Sequence, residues 1–255
     1  MKIIANTKTI QENFHALDTL ISPLLKDFKD NSNESKQKRL EICHVGKFLM
    51  LLGSHSCIEK LSEKPDFILN VDQTHIGLEH QIIINPSDKQ QEGFFENIFS
   101  IAEERIQGIN QLPNFHANCY LHDNIKYSVA KRDEYIAEIL DVIITYVSSN
   151  QLKCSYLIQD MHTMPHDRKS ISPNFGAWWQ KRITERIILE AIARKESKIE
   201  SYMSNCGEIQ WLLLVIGGVN DSSYEMDQSL DIKLESRFSK IYIMEDFNNR
   251  LFEIK

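Results

Sequence analysis

Residues 63–82, EKPDFILNVDQTHIGLEHQI, decide the fold of this chain because they predict a β-hairpin. Two apolar, β-prone runs at residues 66–71 and 75–84 flank a polar tripeptide at residues 72–74. Runs of this kind form neighbouring antiparallel strands when a short turn joins them.

The pairing of the two strands determines which side chains lie together. If residues 72–73 form a two-residue loop, Asp66 stands directly opposite Glu79, with Cβ atoms ~5 Å apart. Gln81 shares the face of Glu79, whereas His80 points to the other face, because side chains alternate along a strand. Asp-Gln is not a favoured hairpin turn, so a longer loop with a different register is the alternative.

Two carboxylates side by side in a sheet repel each other and are costly to bury unless a cation neutralises them. Mg²⁺, or Mn²⁺ in its place, is the expected cation because it binds one or two carboxylates and keeps several waters. Such an ion activates water and stabilises charge on a phosphodiester oxygen. Alternatively, Asp66 only opens a strand after Pro65, and Glu79 is a solvated residue at a sheet edge.

Helical and strand-like patterns alternate along the remaining chain. The predicted helices cover residues 8–25, 39–52, 93–107, 132–148 and 174–203. The predicted further strands cover residues 115–121, 154–158, 211–216, 240–244 and 250–254, with a loop at 159–173. This order predicts an α/β fold with a mixed central β-sheet flanked by helices.

The composition is that of an ordinary globular protein, with 42% apolar and 25% charged residues. We predict a single domain over residues 1–255, with a helical extension at 1–30 and a polar loop at 26–38. The formal charge of −7 argues against non-specific coating of nucleic acid. It is compatible with a nuclease, because a metal site must be acidic and a local basic groove can coexist with it.

The sequence also predicts a cytoplasmic protein that does not cross a membrane. The first residues, MKIIANTKTI, lack an apolar signal core. The longest strongly apolar run, at residues 209–219, is shorter than the ~20 residues that a membrane span requires. The 5 cysteines show no paired spacing, which suits a reducing compartment.

The predicted helix at residues 174–203 carries two lysines where apolar residues are expected. Lys195 falls inside an apolar stripe, and Lys198 lies at its flank. The stripe consists of Ile188, Ile192, Ile199 and Tyr202. We expect the two ammonium groups to reach into a polar pocket. Alternatively, their stems cover the edge of the core while their charged ends reach water.

Together these segments resemble the PD-(D/E)XK nuclease superfamily, which includes restriction and repair endonucleases. The resemblance rests on Pro65-Asp66, Glu79-x-Gln81, Ile192-x-x-Lys195-x-x-Lys198-x-x-x-Tyr202 and Trp211-Leu212-Leu213-Leu214, in this order. It covers roughly residues 38–84 and 180–216. It implies a restriction endonuclease-like sheet and a Mg²⁺-dependent endonuclease that hydrolyses phosphodiester bonds, first of all in DNA.

The resemblance also implies roles for individual residues. Asp66 and Glu79 correspond to the metal ligands, and the backbone carbonyl of His80 is a further ligand. In this family an N-terminal helix supplies another glutamate to the site. Glu41 is the first candidate for it by position, and Glu63 is the second.

One position departs from the family pattern, which usually has lysine where this chain has Gln81. Glutamine orients water but supplies no charge. Either Gln81 belongs to an active variant, or Lys195 or Lys198 delivers the missing cation, or the site is degenerate. The alternative function is therefore a catalytically degenerate nuclease-like domain that binds nucleic acid or a protein. A homodimer is also left open.

Two other patterns are weaker. His162-x-x-x-His166, with Asp160 or Asp167 as third ligand, would suit a zinc hydrolase, but Pro165 breaks the helix that would align the histidines. Trp178-Trp179 would suit base stacking, although such a pair more often lies half in the core and half at an interface.

Overall fold

The computed structural model describes residues 2–4, 10–53, 55–123, 125–176, 180–218, 220–227, 229–230 and 232–255. Trp178-Trp179, considered above as a stacking pair, lies outside the described residues. The chain divides into two compact units. The sequence predicts a single domain and does not indicate this division. Unit 1 comprises Met1–Ile84, Lys181–Val219 and Ser223–Lys255, and unit 2 comprises Asn85–Gln180 and Asn220–Ser222.

The described helices and strands alternate along the chain. The helices are α1 (Ile10–Leu25), α2 (Asn33–Leu52), α3 (Pro86–Gln107), α4 (Arg132–Ser149), α5 (Glu185–Glu196) and α6 (Ile199–Cys206). The strands are β1 (Lys2–Ile4), β2 (Ser56–Leu61), β3 (Phe67–Val71), β4 (Thr74–Ile82), β5 (Phe115–Leu121), β6 (Ile158–Pro165), β7 (Ser170–Asn174), β8 (Lys181–Arg182), β9 (Gln210–Ile216), β10 (Tyr224–Glu225), β11 (Lys240–Glu245) and β12 (Arg250–Glu253). Within these ranges no helix is long and apolar enough to cross a membrane.

Unit 1 is built, in its described part, on a seven-stranded sheet with the order β1-β12-β11-β9-β4-β3-β2. Strands β4, β9 and β11 run parallel to one another, while β3 and β12 are antiparallel to their neighbours. Helices α1 and α2 pack on one face of this sheet, and α5 and α6 pack on the other. The predicted α/β fold with a mixed central sheet flanked by helices is therefore confirmed.

Strand β9 lies inside this sheet because its side chains can be buried on both faces. Every residue of the strand is buried. Its odd-numbered residues from Trp211 to Val215 face α1 and α2, and its even-numbered residues from Leu212 to Ile216 face α5 and α6. A continuous apolar run is the expected sequence of a strand covered on both sides.

The hairpin of β3 and β4 has the predicted two-residue loop and register. Phe67 pairs with Leu78, and the loop consists of Asp72 and Gln73. These two residues have φ values of 48° and 67°, as a type I′ turn requires. The left-handed conformation costs roughly 1–2 kcal/mol for each non-glycine residue. The burial of the paired strands outweighs this cost, which explains why an unfavourable turn sequence still forms the hairpin.

Unit 2 has its own sheet and core. Its sheet has the order β6-β5-β7, with β5 antiparallel to β6 and parallel to β7. Helices α3 and α4 cover one face, and the core between them contains Phe95, Phe99 and Ile139. The predicted strand at 115–121 and helix at 132–148 agree with β5 and α4.

Two helices begin earlier than predicted. Helix α2 begins at Asn33 because Ser32 accepts a hydrogen bond from the N–H of Ser35 and caps the helix. The loop predicted at 26–38 is therefore wrong beyond Ser32. Helix α3 similarly begins at Pro86, a residue type that suits the first helical turn.

The largest differences from the prediction lie in the second half of the chain. The strand predicted at 154–158 and the loop predicted at 159–173 are wrong, because β6 and β7 lie there instead. Most side chains of β6 are exposed, and its two buried residues, Ile158 and Met161, are three positions apart, so no apolar alternation indicates the strand. The helix predicted at 174–203 is also wrong as a single element, because β8, α5 and α6 replace it, with a break at Ser197 and Lys198.

Gly77 lies in β4 at a position where any larger side chain would collide with the neighbouring strand. A Cβ atom at Gly77 would lie 2.1 Å from Oε1 of Gln210, a buried residue of β9. We expect Gly77→Ala to lower the free energy of unfolding by about 1–3 kcal/mol through overpacking. Thermal and urea unfolding followed by circular dichroism measure this change.

Gly93→Ala is the matched control for this prediction. Gly93 lies in α3, and no atom lies within 4 Å of a Cβ atom added there. Alanine in a helix interior is more stable than glycine by roughly 0.5–1 kcal/mol, so this variant should be at least as stable as the wild type. Equal stability of Gly77→Ala and the wild type would contradict the predicted clash.

Candidate active site at the end of the β3–β4 hairpin

The two predicted carboxylates lie where β3 and β4 stop pairing. The pairing ends at Phe67 and Leu78, while β4 continues beside β9. The N–H of Asp66 donates to Oε2 of Glu79 at 3.3 Å, and the N–H of His80 donates to Oδ2 of Asp66 at 2.9 Å. The carboxylates thus satisfy backbone donors at the point where the strands separate, one step beyond the last pair of the hairpin, whose predicted register is confirmed.

A lysine of α5 provides the counter-charge. Nζ of Lys195 lies 2.6 Å from Oε1 of Glu79. Glu79 is 4% exposed, and the side chain of Lys195 is 20% exposed. Because the pair is largely sheltered from water, it interacts more strongly than a surface ion pair. Lys195 therefore lies in the apolar stripe, as the sequence predicts, and its ammonium group reaches the carboxylates.

Lys198 does not share this arrangement. It is exposed and precedes α6, after the break at Ser197. The stripe that places Lys198 beside Lys195 assumes one continuous helix, and that helix is interrupted. A role for Lys198 in the site stays a prediction.

Asp66 is the less well compensated of the two carboxylates. Burial, and then the nearby charge of Glu79, raise the pKa of Asp66 to about 6. The N–H of His80 and the charge of Lys195 act in the opposite direction. Two carboxylates that share one ammonium group retain a net negative charge, so a second cation would stabilise the pair.

Oε1 of Gln81 is buried and has no hydrogen-bond partner in the described part of the chain. Gln81 follows Glu79 by two residues, so both side chains face α5 and α6. Buried polar atoms are seldom left unpaired, so this one indicates room for water or a ligand. Tyr202 is 1% exposed, and its pKa is raised by burial, then by the charge of Glu79 and by a hydrogen bond with that carboxylate.

The two candidate glutamates from outside the hairpin differ in their surroundings. Glu41 lies on α2, forms an ion pair with Lys38 at 2.9 Å, and adds to the raised pKa of Asp66. Glu63 is exposed in the turn before β3. Glu41 is therefore within electrostatic range of Asp66, and its role as a further ligand stays a prediction.

The side chain of His80 lies on the opposite face of the sheet, as predicted. Its Nε2 atom is 3.1 Å from Nδ1 of His44, a residue of α2. Both rings are buried. Only the backbone of His80 can therefore take part in the carboxylate site, and the role of its carbonyl as a metal ligand stays a prediction.

The donor atoms of the site fit a hard divalent cation. Asp66 and Glu79 offer carboxylate oxygens, and Gln81 offers an unpaired amide oxygen. Mg²⁺ and Mn²⁺ prefer oxygen ligands, and Mg²⁺ needs only one or two carboxylates when it keeps its waters. Across the described residues no three His, Cys, Asp or Glu side chains converge on one point. A hydrated ion needs fewer protein ligands than an all-protein cage does.

The residues considered for zinc do not form such a cage. His162 lies on β6, and its Nε2 atom is 3.5 Å from Asp160. Nδ1 of His166 lies 2.8 Å from Oδ1 of Asp167, and its ring lies beside that of His116, with 5.9 Å between ring centroids. The zinc hydrolase alternative therefore has no support in the geometry of these described residues.

The chain matches no protein-family model, no curated protein and no solved structure. The interpretation of the site therefore depends on its geometry and on the sequence resemblance.

Two residues of the region were not singled out from the sequence as site residues. Tyr202 counted only as part of the apolar stripe, although its hydroxyl group distinguishes it from the isoleucines around it. The burial of His44 could have been predicted from the sequence of α2, because His44 shares helical spacing with the buried residues Phe48 and Leu51. A histidine inside such an apolar arc requires a partner in the core.

Proposed function

We propose that this protein is a metal-dependent nuclease of the PD-(D/E)XK type, which hydrolyses phosphodiester bonds, first of all in DNA, with Mg²⁺ or Mn²⁺. The observation that carries this proposal is the pair of carboxylates, Asp66 and Glu79, with Lys195 at 2.6 Å from Glu79. The order of the motifs adds support, because β9, which follows α5 and α6 in the chain, lies directly beside β4. Asp66, Glu79 and Lys195, three residues of the resemblance, are thus neighbours in space.

The chain's own residues would divide the work as follows. Asp66 and Glu79 would hold the metal, with the backbone carbonyl of His80 as a further ligand. The chemistry that a metal would supply there is an activated water and stabilisation of charge on the phosphate. Gln81 accepts a hydrogen bond from the attacking water and orients it. Lys195 contacts the phosphate or the water as a positive charge.

Three further residues extend this proposed site. Glu41 adds negative charge near Asp66 from helix α2. Lys198 is exposed and available to a phosphate. The hydroxyl group of Tyr202 can donate a hydrogen bond to Glu79 or to a bound water.

A cleavage assay tests the proposal. Plasmid DNA, single-stranded DNA and RNA are incubated with Mg²⁺, with Mn²⁺ or with EDTA, while calorimetry measures metal binding. We expect DNA cleavage that requires the metal and stops with EDTA. No cleavage of any substrate, together with no metal binding, would exclude a metal-dependent nuclease.

A second candidate function is a catalytically degenerate nuclease-like domain that binds nucleic acid or a protein. Gln81 favours it, because the family usually has a lysine there. The ion pair of Glu79 with Lys195 also favours it, because one carboxylate oxygen is already neutralised without a metal. Tight DNA binding without cleavage would support this second candidate.

The substitution Gln81→Lys distinguishes the two candidates. In a working glutamine site, a second ammonium group near Lys195 and the metal should lower the cleavage rate by about tenfold or more through like-charge repulsion. In a decayed site, lysine should instead raise or restore cleavage. Gln90→Lys, an exposed position in α3, adds the same charge elsewhere and should leave the rate unchanged.

We also propose a cytoplasmic location, with nucleic acid, first of all DNA, as the partner. The 5 cysteines of the chain are all free, which suits a reducing compartment. A homodimer stays open in this proposal, and analytical ultracentrifugation measures it.

A further inference from the structure

A chain of side chains connects His80 with the edge of helix α2. Nε2 of His80 lies 3.1 Å from Nδ1 of His44, and the two rings are stacked with centroids 5.3 Å apart. Nε2 of His44 lies 4.0 Å from Oδ1 of Asp246. Lys47 holds Asp246 in turn, through Oδ1 at 2.8 Å and through the backbone carbonyl at 2.9 Å. Each histidine is only 5% exposed, so neither ring can meet a substrate.

The carboxylate of Asp246 lies on the Nε2 side of His44. On the other side, Nδ1 of His44 and Nε2 of His80 face each other at 3.1 Å, so one of these two atoms donates a hydrogen bond and the other accepts it. A nearby negative charge favours the proton on Nε2 of His44, which leaves Nδ1 as an acceptor. Nε2–H of His80 then donates to His44. The reverse arrangement would direct a bare nitrogen lone pair of His44 toward a carboxylate.

We propose that Asp246, His44 and His80 form a positioning chain. This chain fixes the place of His80 in β4, and the backbone N–H of His80 in turn holds Asp66. The N–H of His80 donates to Oδ2 of Asp66 at 2.9 Å, beyond the point where β3 pairs with β4. On the other face, His44 anchors the side chain of the same residue. His44 and Asp246 therefore act on the carboxylate site through His80.

The consequence for metal binding rests on the proposed function, whereas the anchoring of His80 does not. His44→Phe tests both, because phenylalanine keeps a planar ring but cannot accept a hydrogen bond from His80. We expect the Kd for Mn²⁺, measured by calorimetry, to rise by about tenfold or more, as for other groups that orient metal ligands. We also expect the His80 amide resonance in ¹H–¹⁵N spectra to move and to lose protection from hydrogen exchange.

Two further variants separate positioning from general stability. In His44→Gln the amide oxygen can accept the hydrogen bond, so the Kd for Mn²⁺ and the His80 amide should return close to their wild-type values. His75→Phe is the matched control on the same strand, because His75 is exposed and paired with Glu59. It should change neither measurement.

The outcomes also separate this proposal from the proposed function. If His44→Phe leaves both the Kd and the His80 amide unchanged, the positioning chain is wrong, whether or not the protein cleaves DNA. A lower thermal midpoint with neither change has the same meaning, because it would show a purely structural role. If the wild type binds no Mn²⁺ and cleaves nothing, the proposed function fails, and a displaced His80 amide in His44→Phe still supports the anchoring.

Discussion

Glu79→Gln is expected to reduce metal-dependent DNA cleavage by about 10³-fold or more. A decrease of this size is typical when an enzyme loses a principal group that stabilises charge in the transition state. Oε1 of Glu79 accepts from Lys195, and Oε2 accepts from the backbone of Asp66. An amide of the same size can keep one or both of these contacts, but it lacks the charge that attracts a metal. Initial rates of plasmid nicking and the Kd for Mn²⁺ measure the effect.

Glu59→Gln is the matched control for this result. Glu59 is exposed on β2 and pairs with His75, so its neutralisation should change the rate by no more than about twofold. The affinity of Glu79→Gln for DNA should be unchanged or higher, because one negative charge near the phosphates is gone. A cleavage rate equal to that of the wild type would show that the reaction does not use this carboxylate.

Lys195→Met is expected to have the largest effect on stability. Removal of the ammonium group leaves the buried carboxylate of Glu79 beside Asp66 without its counter-charge. Breaking a buried ion pair costs about 3–5 kcal/mol, and the partial exposure of Lys195 places this pair near the lower end. Urea unfolding in EDTA measures the loss. Methionine retains most of the apolar stem, which limits the loss of packing.

Magnesium should partly rescue this variant. A divalent cation at Asp66 and Glu79 replaces the missing charge, so excess MgCl₂ should raise the thermal midpoint more in Lys195→Met than in the wild type. Arg194→Met, at an exposed position in the same helical turn, should change the stability by no more than about 1 kcal/mol and show no such rescue. Equal magnesium shifts in all three proteins would mean that Lys195 does not compete with a metal for Glu79.

The parts of the fold that could be predicted depend on local patterns. Two apolar runs form the strands of the hairpin. The alternation of side chains along each strand then places Asp66 and Glu79 on the same face. Strand β9 is evident from its continuous apolar sequence. Strand β6, by contrast, lies at a sheet edge with mostly exposed side chains. Its formation depends on pairing with β5, which is distant in sequence.

In the candidate site, too, local patterns predict some residues, whereas others depend on contacts between distant parts of the chain. Asp66, Glu79 and Lys195 could be placed from strand register and a helical stripe. The break at Ser197 and Lys198 could not, because neither residue is a glycine or proline that commonly marks a helix end. The contact of His44 with His80 joins residues 36 positions apart, so only the folded chain reveals it.

The position of unit 2 in the chain has a consequence for synthesis on the ribosome. Gly77 of β4 pairs with Gln210 of β9, and Asn85–Gln180 must be translated between them. At about 5–20 residues per second, β4 waits on the order of ten seconds for its parallel partner. During this interval one edge of β4 is open to other nascent chains. Charged side chains at a strand edge discourage such pairing, so Glu79 would protect the unfinished sheet against aggregation.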